Sequence, residues 1–398
     1  SISIALLACG CAAGTPMPVG AGAAGLCLIG RMVERSAASP RSDQLANLAA
    51  NLLEKCGRYD VSGSIAVSEE RPVARRRDTQ REPSDRPRPV GQIATPSDLV
   101  SELIATSRYA LLLRPDSARH LSRSERGRAM AALDEAMAVV PAGSVLVGLA
   151  AERATLGHDI EPAAATLDAA GVASVGACYL DRRPITNAEF QQFVDAGGYD
   201  QLDLWPEEAL PALFDFVDQT SEPGPRFWTN QRHTPGEDRL PVVGISWYEA
   251  VSYARWVGKR LPTDAEWTKA CAWPIESPPG RIAQRRYPWG ESFEPTRANL
   301  WRPDSRGVEP VDAYPEGVSV GGVEQMVGNV WEWTNTPLNE ATPASVRFSS
   351  SLRTVHGGAF DTYFENQATC HFQSGERPLA RRANIGFRLA LSMSTLGA

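Results

Sequence analysis

The chain has 398 residues, of which 43% are hydrophobic and 22% are charged, and its formal net charge is -7. This length leaves room for two folding units, since a single core stops growing at roughly 250 to 300 residues. The acidic balance excludes nucleic acid as an expected partner, because binding phosphate needs a basic face. Seven cysteines lie at scattered positions without a CxxC pair, so nothing demands an oxidising compartment.

The N-terminal segment, residues 1–35, has the composition of a membrane anchor. No charged residue occurs between Ser1 and Gly30, and an apolar run of that length reaches across a bilayer. A signal peptide and a buried hairpin are the alternative interpretations. Because Arg31 and Arg35 follow the apolar run, the positive-inside rule predicts a membrane protein with a cytoplasmic large domain. A periplasmic domain is the alternative.

Residues 36–95 are predicted to contain one short helix and a basic linker. Leucines recur at helical spacing at Leu45, Leu48 and Leu52. A Pro/Arg-rich stretch, RPVARRRDTQREPSDRPRP, follows at 71–89. It is expected either to be a solvated linker or to bind an acidic partner or anionic lipid.

Residues 96–175 are predicted to form a helical spacer. Apolar residues recur every three to four positions from Ser97 to about Val140, with a turn near Pro115. His120 and His158 lack the spacing that would place two metal ligands on one helix face.

Residues 176–392 differ in composition from the preceding part of the chain, with short segments rich in Trp, Gly and Pro. In chain order they include the strings ITNAEFQQFVDAGGY, ISWYEAVSYARWVGKRLPTDAEWTKA, YPWG, ANLW, MVGNVWEWT, HGGAFDTY and NIGFRLA. Together these strings resemble the formylglycine-generating enzyme and sulfatase-modifying factor superfamily. The resemblance implies an irregular α+β fold of the C-type-lectin-like class, with many loops.

The resemblance also implies metal chemistry that can be sought in the residues. Formylglycine formation uses a copper-binding cysteine pair after the GG[SA][FYW] string, but Thr362 and Gln367 occupy those positions and only Cys370 is near. The related sulfoxide synthases of ergothioneine biosynthesis hold iron on three histidines, largely from a separate helical domain. The five histidines here include no helical i, i+4 pair. Neither redox site is therefore expected.

Structural calcium is the one cofactor that the resemblance leaves open. One site would use the Asn299 side chain and the Leu300 carbonyl. A second would use four positions in the string QMVGNVWE: the Gln325 side chain, the carbonyls of Gly328 and Val330, and Glu332. The alternative is that Asn299 and Glu332 satisfy backbone amides.

The functional expectation is a non-catalytic binding or structural subunit, tethered to the membrane and docked on an integral membrane protein complex. It depends on the missing redox sites more than on the fold. The alternative is a metal-dependent oxidoreductase of the same superfamily, with an atypical site in the groove. The candidate groove residues are Trp333, His356, Asp361, Tyr363, Cys370 and Arg388.

Overall fold

The computed structural model describes residues 96–148, 163–166, 171–276, 280–304, 306–338 and 352–396. The predicted membrane anchor and basic linker, residues 1–35 and 36–95, lie outside these ranges. Within them, no helix has both the length and the apolar character needed to cross a membrane.

Helices and strands are both present, which confirms the predicted mixture of α and β structure. The described ranges contain the α-helices α1 (Pro96–Ala105), α2 (Tyr109–Leu112), α3 (Pro115–Ala118), α4 (Arg123–Ala136), α5 (Asn187–Asp195), α6 (Trp247–Val257) and α7 (Asp264–Ala272). The strands are β1 (Met137–Val140), β2 (Gly143–Leu146), β3 (Ala163–Thr166), β4 (Val172–Val175), β5 (Cys178–Asp181), β6 (Ile275–Glu276), β7 (Arg281–Gln284), β8 (Trp331–Pro337), β9 (Arg353–His356), β10 (Gln373–Glu376), β11 (Ile385–Gly386) and β12 (Ala390–Ser392).

The strands form four small sheets. Their orders are β1-β5-β12, β10-β9-β8-β11, β2-β4 and β3-β7-β6. In the four-stranded sheet, β9 runs antiparallel to both β8 and β10, whereas β11 pairs parallel to β8. This sheet positions the residues considered below.

In the described part of the region predicted as a helical spacer, helices extend to Ala136 and short strands follow. Helix α4 ends at Ala136, and the next four residues form β1, antiparallel to β5. The predicted helix continued to about Val140, but Val139 and Val140 are β-branched and favour an extended backbone beside a partner strand. Strands β1 and β12 both pair with β5, so β1 belongs to the same sheet as β12.

Helices α4 to α7 begin with the same local arrangement of side chains. Ser122, Thr186, Ser246 and Thr263 each cap their helix and exchange hydrogen bonds with a glutamate three residues later. Such a capping box satisfies two backbone N–H groups that would otherwise lack partners. In α7 the box joins Thr263 and Glu266, and the helix begins at Asp264.

Helix α7 packs against the four-stranded sheet and anchors the central core. Trp267 and Cys271 of this helix are fully buried, in one apolar cluster with Met326 and Cys370. The face of the sheet toward α7 is therefore closed to solvent.

Candidate functional site

Strand β8 divides the candidate residues between two sides of the sheet. Successive side chains of a strand point to opposite faces, so Trp331 and Trp333 share one side and Glu332 takes the other. Trp333 is fully buried, whereas Trp331 is partly exposed. The side of Trp331 is the one that reaches solvent.

A depression of about 220 Å³ opens on this side of the sheet. It is lined by Trp331, Val355, Ser374, Gly375, Glu376, Arg382, Asn384 and Ile385. This volume is below the roughly 300 to 1,000 Å³ of pockets for drug-sized ligands. Its lining combines an aromatic ring with groups of both charges.

Asp361 lies next to this depression and is fixed by one of its lining residues. The Asn384 Nδ2 atom donates to Asp361 Oδ1 at 3.1 Å and to Oδ2 at 2.9 Å. The Asn384 carbonyl in turn accepts from the Trp331 backbone N–H at 2.9 Å. Asp361 therefore presents an oriented carboxylate that Asn384 links to the backbone of strand β8.

Three exposed aromatic side chains cluster near Asp361: two follow it in the chain, and the backbone of the third, Trp301, donates to the Thr362 carbonyl. Trp301, Tyr363 and Phe364 are 46%, 65% and 60% exposed. The ring centroids of Trp301 and Tyr363 are 4.8 Å apart, and those of Tyr363 and Phe364 are 5.3 Å apart. Aromatic faces attract cations as well as apolar groups. An exposed cluster of this kind is typical of a binding surface.

Behind the sheet, Arg388 and Glu332 form a buried ion pair. The Arg388 Nε and Nη2 atoms each lie 2.7 Å from a carboxylate oxygen of Glu332. The same guanidinium donates to the backbone carbonyls of Asp181, Arg182, Glu324 and Gln325. Because all of these partners are structural, Arg388 joins distant parts of the chain and does not face the depression.

His356 is also buried behind the sheet, where it contacts helix α7. Its Nε2 atom hydrogen-bonds to Asp264, and its ring stacks on Trp267 with centroids 4.6 Å apart. Burial alone would raise the pKa of the Asp264 carboxyl, but the charge and hydrogen bond of His356 outweigh it and lower that pKa. The Asp264 side chain also accepts from Gln373 at 2.7 Å, so the dyad links α7 to two strands.

Cys370 and His371 are adjacent and both almost fully buried. The Cys370 and Cys271 sulfurs are 2.7 Å apart, and burial together with this hydrogen bond raises the pKa of the Cys370 thiol. A thiol held protonated is a poor nucleophile. Burial, with a smaller contribution from the charge of Arg286, lowers the pKa of His371 to about 4.

The structure thus separates the six predicted groove residues. Asp361 and Tyr363 lie on the open side, where their role in binding stays a prediction. The other four are buried: Trp333, His356, Cys370 and Arg388. Sequence reasoning selected none of the residues that line the depression, among them Trp331, Glu376, Arg382 and Asn384. The alternation of side chains in WEWT could have indicated Trp331. No local pattern indicated Glu376, which belongs to β10, or Arg382 and Asn384, which lie just before β11.

The described residues do not fit either redox metal of the superfamily. The hydroxyl of Thr362 accepts a hydrogen bond from the Ala359 backbone at 2.8 Å, and Gln367 ends a short 3-10 turn. A hydroxyl and an amide do not replace thiolate ligands for copper. Within the described ranges, no group of three or more His, Cys, Asp or Glu side chains could hold a metal ion.

The two predicted calcium sites differ in whether their side-chain oxygen atoms already have hydrogen-bond partners. Both Glu332 oxygens are bonded to Arg388, and Oε2 also accepts from Trp267 Nε1 at 2.7 Å. The side-chain oxygen of Gln325, Oε1, accepts a hydrogen bond from Asn329 Nδ2 at 2.7 Å. At the other site, the buried Asn299 Oδ1 atom has no hydrogen-bond partner in the described part of the chain, as a cation ligand would require. Calcium stays a prediction, with better geometry at Asn299 than at Glu332.

Comparison with known proteins identifies relatives that are enzymes. The chain is 36% identical over 276 residues to a hercynine oxygenase of Mycolicibacterium smegmatis, covering 63% of this chain and 60% of the relative. It is 39% identical over 244 residues to the hercynine oxygenase of Mycobacterium tuberculosis, covering 56% and 54%. A formylglycine-generating enzyme of Bos taurus is 30% identical over 264 residues, covering 54% and 66%. The chain therefore spans only between half and two thirds of the length of these relatives.

These relatives correct the expectation of a non-catalytic docking subunit, which is wrong. Relatives at 36 to 39% identity are named as oxygenases, and they favour the alternative of an oxidoreductase. The error has a physical cause. Absence of metal ligands from one domain does not exclude catalysis, because a metal can be held by residues from another part of a protein.

Family membership follows from a match that covers most of the chain. Residues 124–393 match the model of the sulfatase-modifying factor enzyme 1-like domain. The match begins within helix α4 and ends just after β12, and it includes both sides of the four-stranded sheet. The chain belongs to the family of sulfatase-modifying factor enzyme 1-like domains, as the motifs from residue 176 onward predicted.

Proposed function

We propose that this chain carries the substrate-binding domain of a metal-dependent oxidoreductase that acts on a small molecule of the hercynine type. The observation that carries the proposal is the 36% and 39% identity to two hercynine oxygenases, over 276 and 244 residues. The matched domain includes the open depression, so substrate recognition is the role that this part of the chain can supply.

The open side of the sheet has the chemistry that such recognition needs. Trp331 offers an aromatic surface, and Asp361, held by Asn384, offers a fixed negative charge. A ring packs on the indole, while a cationic nitrogen is attracted to both the carboxylate and the aromatic face. Because Asp361 is already oriented by two hydrogen bonds, little conformational entropy is lost when a ligand binds.

The redox metal is expected to depend on residues outside the described ranges. The described residues provide no three-ligand group, and the chain covers only 54 to 60% of the two oxygenases. The domain's own contribution is then to bind and orient the substrate. Binding and orientation alone lower a reaction barrier substantially when the reacting atoms are held in contact.

Oxygen consumption tests the proposal. The purified full chain is loaded with Fe(II) or with Cu(I) and supplied with hercynine and a low-molecular-weight thiol. Uptake of oxygen that requires both metal and hercynine is the expected result. Asp361→Asn keeps the shape of the side chain but removes its charge, and we expect it to lower kcat/KM at least ten-fold.

Asp203→Asn provides the matched control, because Asp203 is exposed in a 3-10 turn and does not line the depression. It should leave oxygen uptake unchanged. No uptake with either metal would overturn the oxidoreductase proposal. Equal losses in the two variants would remove Asp361 from substrate recognition.

A further inference from the structure

The depression contains an arginine whose hydrogen-bonding capacity is only partly used. The Arg382 Nε atom lies 2.6 Å from Glu376 Oε2. In the described structure, no hydrogen bond is made by its two terminal Nη atoms, and the side chain is 60% exposed. An arginine with two free parallel N–H groups is suited to bind a carboxylate through both of its oxygens.

Glu376 holds this arginine in place. Its Oε1 atom accepts from the Arg377 backbone N–H at 2.8 Å, while Oε2 accepts from Arg382. The Glu376 side chain is only 18% exposed, and its residue belongs to β10. The carboxylate is thus fixed to the sheet, and it fixes the Nε side of the guanidinium.

The other residues of the depression can contact parts of a ligand other than its carboxylate. Trp331 supplies a flat apolar surface in the same depression. The lining residue Asn384 donates a hydrogen bond to the carboxylate of Asp361. The lining of this volume of about 220 Å³ therefore combines a positive group with an aromatic surface, and Asn384 links the lining to the negative group of Asp361. That combination matches a small zwitterion with a ring, and a neutral apolar molecule would leave the Nη atoms of Arg382 unused.

We propose that Arg382 is a specificity-determining residue that binds the carboxylate of an amino-acid-type zwitterion, with Glu376 as its positioning residue. The substrate class is a small α-amino acid or its N-alkylated form carrying a flat ring. The ring packs on Trp331, and the cationic nitrogen lies toward Asp361. This inference depends on the proposed function for the identity of the site, and it adds the residue that selects the carboxylate.

Calorimetric titration of the full chain with three probes tests it. Hercynine and L-histidine carry the carboxylate, whereas histamine lacks it. The unsubstituted protein should bind the first two more tightly than histamine. Arg382→Gln should weaken binding of hercynine and L-histidine about ten- to hundred-fold, because a charged hydrogen-bonding pair is lost, and should leave histamine unchanged.

Two further variants separate recognition from general effects. Arg377→Gln removes an exposed arginine five residues earlier that does not line the depression, and it should change nothing. Glu376→Gln should weaken carboxylate binding only a few-fold, since it loosens Arg382 without removing it. Equal weakening by Arg382→Gln for histamine and histidine would overturn the inference, and so would no binding of any carboxylate probe to the unsubstituted protein.

The failure of this inference differs from the failure of the proposed function. Carboxylate-selective binding that depends on Arg382, without oxygen uptake, would support the specificity residue and reject the oxidoreductase. Metal-dependent oxygen uptake that Arg382→Gln leaves intact would reject the specificity residue and support the oxidoreductase.

Discussion

The two sides of the four-stranded sheet use similar residues for different purposes. Behind it, Glu332 and Arg388 are 1% and 0% exposed and are bonded to each other. In front of it, Glu376 and Arg382 are 18% and 60% exposed, and only one edge of the guanidinium is used. The same pair of residue types therefore stabilises the fold on one side and is available to a ligand on the other.

This difference shows that residue type alone is a poor guide to chemistry in this domain. His356 and Cys370 are the residues that a search for nucleophiles and metal ligands selects first, yet both are fully buried. What decides the role of a side chain is whether its polar atoms are already paired. Substitution of a paired residue should therefore lower protein stability more than substitution of an unpaired one.

The largest effect is expected for Arg388→Met, which keeps the length of the side chain and removes the charge. Glu332 would be left as an unpaired buried carboxylate, and breaking such a pair costs about 3 to 5 kcal/mol. Urea unfolding followed by tryptophan fluorescence measures the change. The Glu332→Gln/Arg388→Met double variant should recover part of the loss, since it removes the unpaired charge. A loss below about 1 kcal/mol for the single variant would contradict the structural role.

An intermediate effect is expected for the pH dependence that His371 contributes. Its pKa in the folded protein is about 4, below the ordinary 6.5, so the unfolded chain binds the proton first as pH falls. This contribution to stability is complete above pH 6.5 and is lost as pH falls toward 4, by up to about 1.4 kcal/mol per pH unit.

His371→Asn should flatten the decline in the free energy of unfolding between pH 6.5 and 4. Unfolding curves at several pH values give the slope. His120→Gln is the control, because His120 is exposed and should leave the slope as it is. A slope that His371→Asn does not change would show that other buried groups govern acid unfolding.

The smallest effect on stability is expected on the open side. Asp361→Asn should change the free energy of unfolding by less than about 0.5 kcal/mol, because Asp361 is exposed and its partner Asn384 remains solvated. The same variant is expected to lower turnover, so stability and activity should separate. A destabilisation as large as that of Arg388→Met would place Asp361 among the structural residues.

Much of the fold could be predicted from local sequence. The capping box at Thr263 and the helical spacing after it fixed the start of α7, and the motif strings predicted a mixed fold with many loops. The strand β1 was missed because its partner β5 lies about forty residues later in the chain, and only that pairing decides between helix and strand for residues 137–140.

The candidate site was less accessible to sequence reasoning. Asp361 directly follows the GGAF string, but Arg382 and Glu376 come together beside Trp331 only when β10 and β11 join the same sheet. The other predicted groove residues except Tyr363 are buried, which the sequence did not indicate. Cys370 gave no local sign that Cys271, ninety-nine residues earlier, would meet it in the core.

The contacts of Arg388 also bear on how the chain reaches its folded state. Its guanidinium bonds the carbonyls of Asp181 and Arg182, which are 207 and 206 positions earlier in the chain. Such distant contacts form late, because a long segment must first be closed into a loop. A ribosome-bound chain that has not yet exposed Arg388 leaves Glu332 without its partner, so the core of this domain closes only after Arg388 has been synthesised.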